Sequence, residues 1–176
     1  MIQDLGKTCT QLLVVDSKQM SLLEGGEQVI EGIPIYVGLK GVTKDKKEGD
    51  MKTPVGRFPL GTVFGDEKHR QYAIKMPYLL IEEGLLCVDD PKSCHYNQFV
   101  NQHTKERDWK SSENMKEIGY PYTLGIVIGY KGDGSCIFVH IGDGGTAGCV
   151  AMSEEDLIKV VTLLDFDKNP HIDIKQ

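Results

Sequence analysis

Apolar side chains recur along this chain with two periods, and the shorter one dominates. From Thr10 the run TQLLVVD, rich in branched apolar residues, predicts a short strand. Glu24-Gly25-Gly26-Glu27 predicts a turn, and IPIYVGLKGV continues as strand, with Pro34 marking an edge or a strand start. Lys44 to Lys52 mixes charges of both signs and reads as a solvated loop. In KTPVGRFPLG, Thr53-Pro54 forces an extended entry and Gly56 permits a tight bend, while Phe58 and Leu60 return apolar side chains inward, predicting a hairpin. The loop from Gly65 to Arg70 reads as exposed, with His69 in it, and LLCVDD predicts another strand, broken by Pro91. Ser111 to Ile118 predicts a short helix, with Trp109, the sole tryptophan, anchored just before it. TLGIVIGY and SCIFVHI predict an antiparallel pair joined at KGDGS. Alternation then places Cys136, Phe138 and His140 on one face and Ile137, Val139 and Ile141 on the other.

The period changes once. Ser153 is an N-cap with Asp156 three residues on, and Glu154 and Glu155 suit the positive end of a helix. Leu157, Val160, Val161 and Leu164 follow at i, i+3, i+4 and i+7, a single apolar stripe. Asn169-Pro170 ends any helix, and HIDI predicts a closing strand. Strands thus outnumber helices, and no repeat, low-complexity tract or linker interrupts the pattern. Residues 1–176 read as a single, mainly β domain.

Composition narrows this only a little. A chain of 176 residues with 26% charged and 40% hydrophobic residues buries a sizeable core without staples. Its net charge of −6 argues against nucleic acid as a partner, which needs a basic stripe. No apolar run approaches the ~20 residues that span a bilayer, so the chain as given is not transmembrane. The N-terminus shows no basic region followed by a long apolar core. Cysteine is an odd count of five, and two readings stand. Four cysteines pair around a free Cys149, with a local Cys87–Cys94 bridge as one option, or all are isolated thiols.

Candidate chemistry concentrates between Ser135 and Leu164, where an apolar run ends in His140, a glycine-rich bend follows, and Cys149 succeeds Gly148. A free thiol, with a pKa of ~8.5, is mostly protonated at neutral pH, and an imidazole nearby can take its proton. Glycines let backbone N–H groups approach a reacting carbonyl. Asp89, Asp90 and His95 in DDPKSCHYN fit no zinc or calcium spacing, and a turn held by Asp and Asn side chains is the simpler account. No metal and no cofactor is expected.

TAGCVAM resembles the cysteine motif of the L,D-transpeptidase catalytic domain, the YkuD (ErfK/YbiS/YcfS/YnhG) group. Upstream, EGDMKTPVGRFPLG resembles the Thr-Pro-x-Gly-x-Phe hairpin of the same family, where it borders the active-site cleft. DDPKSCHYN is also similar to part of this family branch. The resemblance implies a mixed β-sandwich with a few short helices and a cysteine-dependent acyl transfer on peptidoglycan stem peptides. Cys149 is then the nucleophile and His140 its base. Gly148 and Cys149 supply oxyanion N–H groups, Thr146 steadies the loop or donates a hydrogen bond, and a backbone carbonyl such as that of Ile141 orients the imidazole. It also implies work in the periplasm or cell wall after export, the targeting segment being absent from this chain.

Two departures stand out. Most relatives place a second histidine two residues before the cysteine, where this chain has Ala147, so His140 serves alone. Ala151 replaces the Asn or Arg often found two residues after it, which removes a bidentate grip on a substrate carboxylate. Three alternatives follow: an L,D-carboxypeptidase hydrolysing the same bond, a non-catalytic wall-binding module, and an unrelated thiol protease, which KTPVGRF disfavours.

Overall fold

Along the first strand burial follows the sequence alternation, with Leu13 and Val15 inside and Leu12 and Val14 half-exposed. The computed structural model describes residues 8–16, 18–103 and 105–176. Strands β1 (Gln11–Asp16), β2 (Gln19–Glu24) and β3 (Glu27–Pro34) form an antiparallel meander that turns at Gly25-Gly26. Strands β4 (Val42–Thr43) and β5 (Thr53–Pro54) make a small parallel pair ahead of the long strand β6 (Gly56–Gly65) and the short β7 (Tyr78–Leu80) beside it. Then β8 (Leu85–Val88), β9 (Phe99–Asn101) and β10 (Ser112–Asn114) form a separate sheet in the order β10-β8-β9. One helical turn, α1 (Met115–Ile118), leads to β11 (Leu124–Ile128), β12 (Phe138–Ile141) and β13 (Val150–Met152), followed by helix α2 (Glu154–Leu163) and β14 (His171–Ile174). The large sheet runs β13-β12-β11-β6-β14-β1-β2-β3, so the last strand joins its two halves, parallel to β1 and antiparallel to β6.

Each face of this sheet has its own core. Helix α2 covers one: Ser153 caps it by accepting the Asp156 N–H, and Leu157, Val160, Val161 and Leu164 are fully buried with Val139, Ile141, Val150 and Met152. The small sheet covers the other, where Phe64, Tyr122, Phe138, Met115 and Cys149 pack together. Burying a side chain of this size stabilises by about 1.5–3 kcal/mol. A bulge in β6 decides which residue faces which layer. Ile126 pairs with Val63 and Ile128 with Leu60, so β6 carries one extra residue there. Leu60 and Val63 therefore share the helix-side core while Phe64 joins the other. Within the small sheet, Leu86, Val88 and Val100 bury Trp109, which is 3% exposed.

Several expectations need correction. QMSLLE forms β2, unanticipated because its alternation is short. Between Pro34 and β4 the chain pairs through isolated bridges, at Tyr36 and Gly38. KTPVGRFPLG is no hairpin: Thr53-Pro54 pairs with β4, and after Val55 the chain enters β6, which pairs elsewhere. Ser112–Asn114 is strand, since it finds a partner in β8, and the helix starts only at Met115 with Asn114 as cap. Cys87 is bridged to Cys136, not to Cys94, tying the small sheet to the segment before β12. His69 is buried at 2% exposure, held at 2.7 Å by Asp66 Oδ1 and at 2.9 Å by Glu154 Oε1. Lys68 Nζ and the Tyr120 hydroxyl also donate to Glu154. Among the described residues no helix is long and apolar enough to cross a membrane.

Two outcomes follow from these ties. The bridge closes a separation of 49 residues, which chain entropy converts to about 4 kcal/mol. The double variant Cys87→Ser/Cys136→Ser is expected to lose stability of that order, read as a drop in the urea midpoint. His69, then Lys68 and Tyr120, pull the Glu154 carboxyl from 4.5 down to about 2. A depressed carboxylate stabilises the fold above its unfolded pKa, and that contribution disappears as pH falls through its folded value. The difference in urea midpoint between the wild type and Glu154→Gln should therefore shrink as pH is lowered from 4.5 toward about 2.

Candidate active site

Strands β12 and β13 run parallel, Val139 beside Val150 and His140 beside Ala151, yet only eight residues separate them. Parallel neighbours usually need a crossover of a dozen or more residues. Here the strands are short, and the glycine-rich loop runs straight back along the sheet. Residues 36–39 hold it there: the Thr146 N–H donates to the Val37 carbonyl at 3.0 Å, and the Leu39 N–H to the Thr146 carbonyl at 2.9 Å. Gly148 completes the return at φ +155°. A Cβ there would lie 3.1 Å from the Lys52 carbonyl oxygen and 3.4 Å from Lys46 Nζ, so a side chain would be crowded as well as strained at this positive φ.

Threonines from both sequence motifs fix the cysteine backbone. Thr146 Oγ1 donates to the Cys149 carbonyl at 2.6 Å and accepts the Gly148 N–H at 3.1 Å. Thr53 Oγ1 donates to the same carbonyl at 3.1 Å and accepts the Gly38 N–H at 2.8 Å. The Gly148 N–H, expected as an oxyanion donor, is thus engaged by the Thr146 hydroxyl in this structure.

The thiol itself lies inward. The Phe138 N–H donates to Cys149 Sγ at 3.3 Å, and the thiol donates to the Cys136 carbonyl at 3.4 Å. Burial pushes its pKa up to about 12, assisted by the Glu113 carboxyl and opposed by the Phe138 N–H and by Lys46. His140 occupies the same sheet face two residues beyond Phe138. Its Nδ1 lies 2.8 Å from the Ile141 carbonyl, which only accepts, so Nδ1 carries the proton and Nε2 is the basic nitrogen. Burial lowers the pKa of this imidazole, leaving it neutral at neutral pH. Among the described residues the thiol's hydrogen bonds go to backbone groups and not to the imidazole; thiol and imidazole are neighbours through an aromatic wall. Tyr122 packs edge-on against His140 at 5.5 Å and against Phe138 at 5.6 Å, and it shares the buried cluster with Cys149.

Three residues here carried no sequence signal. The Tyr122 hydroxyl donates to Glu113 Oε2 at 2.6 Å, and burial raises the pKa of both groups. Lys46, read as solvated surface, is 6% exposed, with its ammonium 2.6 Å from Asp50 Oδ1 and 3.0 Å from the Lys47 carbonyl. Tyr122 reaches the site from a 3-10 turn, Glu113 from the small sheet and Lys46 from a loop, where no periodicity points at a distant cysteine. A recess of about 310 Å³, lined by Ile81, Met115, Tyr120, Tyr122 and Thr123, meets the site at Tyr122.

The model of the YkuD family, described as the L,D-transpeptidase catalytic domain, matches residues 10–169. No individual curated protein gives a significant match. Among solved structures, the helical cell shape determining protein Pgp2 from Campylobacter jejuni superposes with a TM-score of 0.54 at 18% identity, over 95% of this chain and 48% of that one. The chain thus spans about half the length of Pgp2. An L,D-transpeptidase from Mycobacterium smegmatis matches over 95% of this chain and 59% of its own, with TM-score 0.44 and 15% identity. Another, from Stackebrandtia nassauensis, matches over 99% and 62%, with TM-score 0.47 and 12% identity.

The inward thiol makes a direct expectation. With its pKa raised to about 12, Cys149 in the folded protein should alkylate slowly with iodoacetamide at pH 7, and the rate should keep rising well above pH 8.5, the region where a free thiol levels off. Mass spectrometry of the Cys149 peptide checks this, with urea-unfolded protein as the reference.

Proposed function

The chain belongs to the family of L,D-transpeptidase catalytic domains, and from that membership we propose that it transfers acyl groups on peptidoglycan stem peptides through a thioester on Cys149. What supports this most is the nucleophile loop. Thr53 and Thr146 grip the carbonyl of one cysteine, and the neighbouring strand presents a neutral histidine whose Nδ1 is committed to the Ile141 carbonyl.

The reaction begins with a stem peptide settling against Cys149. The thiol turns from the Cys136 carbonyl, and His140 Nε2 takes its proton. The thiolate then attacks the carbonyl between the diamino acid and the terminal D-alanine. Moving the thiol out of its buried position relieves the cost of ionising it there, so ionisation is coupled to substrate binding. The Gly148 N–H serves the tetrahedral oxygen by exchanging its bond to Thr146, a donor contribution of about 3 kcal/mol. The carbon–nitrogen bond breaks, His140 returns the proton to the departing amine, and D-alanine leaves. An acceptor amine, attacking the thioester, restores the thiol and forms the new amide. Ala151 stands beside His140 in the register, so no cationic side chain projects from that position. The substrate lies outside the cytoplasm, which makes this an exported protein.

Incubation with tetrapeptide muropeptides should release D-alanine and, with an acceptor amine present, yield the new amide. Cys149→Ala should abolish both, and His140→Ala should lower kcat by about 100-fold or more. A carbapenem should add its mass to Cys149 in a single acylation. Release of D-alanine with hydrolysis alone, whatever the acceptor, would identify a carboxypeptidase. A chain inert toward both muropeptides and carbapenem that still co-sediments with peptidoglycan would identify a wall-binding module.

A further inference from the structure

The small sheet carries a cluster that the acyl-transfer chemistry does not use. Cys94, His95 and Asp108 bring a sulfur, a ring nitrogen and a carboxylate oxygen within 4.8 Å of one another at the surface turn after β8. We propose that these three side chains form a zinc site, with water as its fourth ligand.

The donors are held before any ion arrives. Asp90 builds the turn: its carbonyl accepts the Ser93 N–H, and its carboxylate accepts the Lys92 and Lys110 N–H groups at 3.0 and 2.8 Å. That last bond draws the segment around Asp108 onto the turn. Ser93 Oγ donates to Asp108 Oδ1 at 2.5 Å, and the Cys94 N–H donates to Oδ2 at 2.8 Å. A carboxylate has about four lone-pair sites, so both oxygens keep one for a cation. Ser93 Oγ also accepts the His95 N–H at 2.9 Å, and the His95 ring rests edge-on against buried Trp109 at 5.8 Å. A ligating carboxylate steadied by hydrogen bonds, as Asp108 is by Ser93 and Cys94, is a usual outer arrangement of a zinc site, while His95 is positioned by its backbone and by Trp109.

The donor set selects the metal. Thiolate and imidazole favour zinc and its late neighbours over magnesium or calcium, which take oxygen. Three protein ligands and one open position make a tetrahedral site. Zinc–ligand lengths of about 2.0–2.3 Å put tetrahedral donors about 3.5 Å apart, so the cluster need contract by no more than about 1.3 Å on binding. Cys94 loses its proton to solvent as the metal–sulfur bond forms. No sequence spacing announced this, because Asp108 lies beyond β9 and meets Cys94 and His95 only through the fold. The proposal replaces the expectation that the chain holds no metal.

Such a site would stiffen the covering sheet close to the nucleophile. Two residues further along the same turn, the Asn97 side chain accepts the Cys136 N–H at 2.9 Å, and Cys136 offers its carbonyl to the Cys149 thiol. Metal bound at the turn therefore steadies the strand entrance on which the resting thiol leans.

The test titrates cobalt, then zinc, into the full chain. Cobalt should bind at one equivalent with a thiolate-to-metal charge-transfer band, and zinc should displace it and raise the melting temperature. Cys94→Ser should lose the band, and Asp108→Asn, which keeps the shape of the side chain, should weaken zinc by about tenfold or more. Absence of the band in the wild type, or a band that survives in Cys94→Ser, would overturn the assignment. Unchanged zinc affinity in both Asp108→Asn and His95→Gln would do the same. Circular dichroism of each variant separates loss of ligand from loss of fold. The assignment stands or falls independently of the muropeptide assay, since Cys149→Ala should bind zinc as the wild type does.

Discussion

The parallel pairing of β12 with β13 across an eight-residue return is the constraint from which the site derives its shape. A loop that short cannot wander, so its backbone groups must find partners along the sheet or remain unsatisfied. Residues 36–39 supply partners on one side, and the hydroxyls of Thr53 and Thr146 supply them at the end. At Gly148 the return passes close to the Lys52 backbone. What results is a cysteine whose main chain is fixed from two directions while its side chain retains a choice of neighbours.

That choice matters because the thiol rests on the apolar side. Between the Phe138 N–H and the Cys136 carbonyl it sits in a low-dielectric pocket, where the ionised form is strongly disfavoured. A thiol buried in this way is protected from oxidation and stray alkylation. The acyl transfer proposed above asks this thiol to turn toward His140, whose protonation pattern is set by the Ile141 carbonyl. Tyr122 and Glu113 close the space between the two from the covering layer. The Cys87–Cys136 bridge ties that layer to the wall of the thiol's pocket, so movement of one is felt by the other.

Much of this was legible in the residues. The stripe of Leu157, Val160, Val161 and Leu164 and its Ser153 cap could be read directly, since a helix repeats every 3.6 residues whatever surrounds it. The alternation in SCIFVHI likewise put Phe138 and His140 on the face away from α2. The KTPVGRF stretch was readable as a motif but not as geometry. Its threonine reaches the cysteine carbonyl, while the expected hairpin does not exist because both flanks pair with other strands. His69 and Lys46 were misjudged for one shared reason. Charged and polar residues in a loop are usually solvated, and only the carboxylates that fold over them, Glu154 and Asp50, allow their burial.

By itself, then, the sequence determined the strand-rich class, the capped helix and the family, because each depends on local periodicity or on a contiguous motif. Tertiary structure alone decided that Cys87 bonds Cys136, that the Cys149 thiol bonds backbone groups, and that Cys94 and His95 meet Asp108. Those facts depend on which strands pair and where a bulge shifts the register, and pairing across tens of residues leaves no mark on the residues in between.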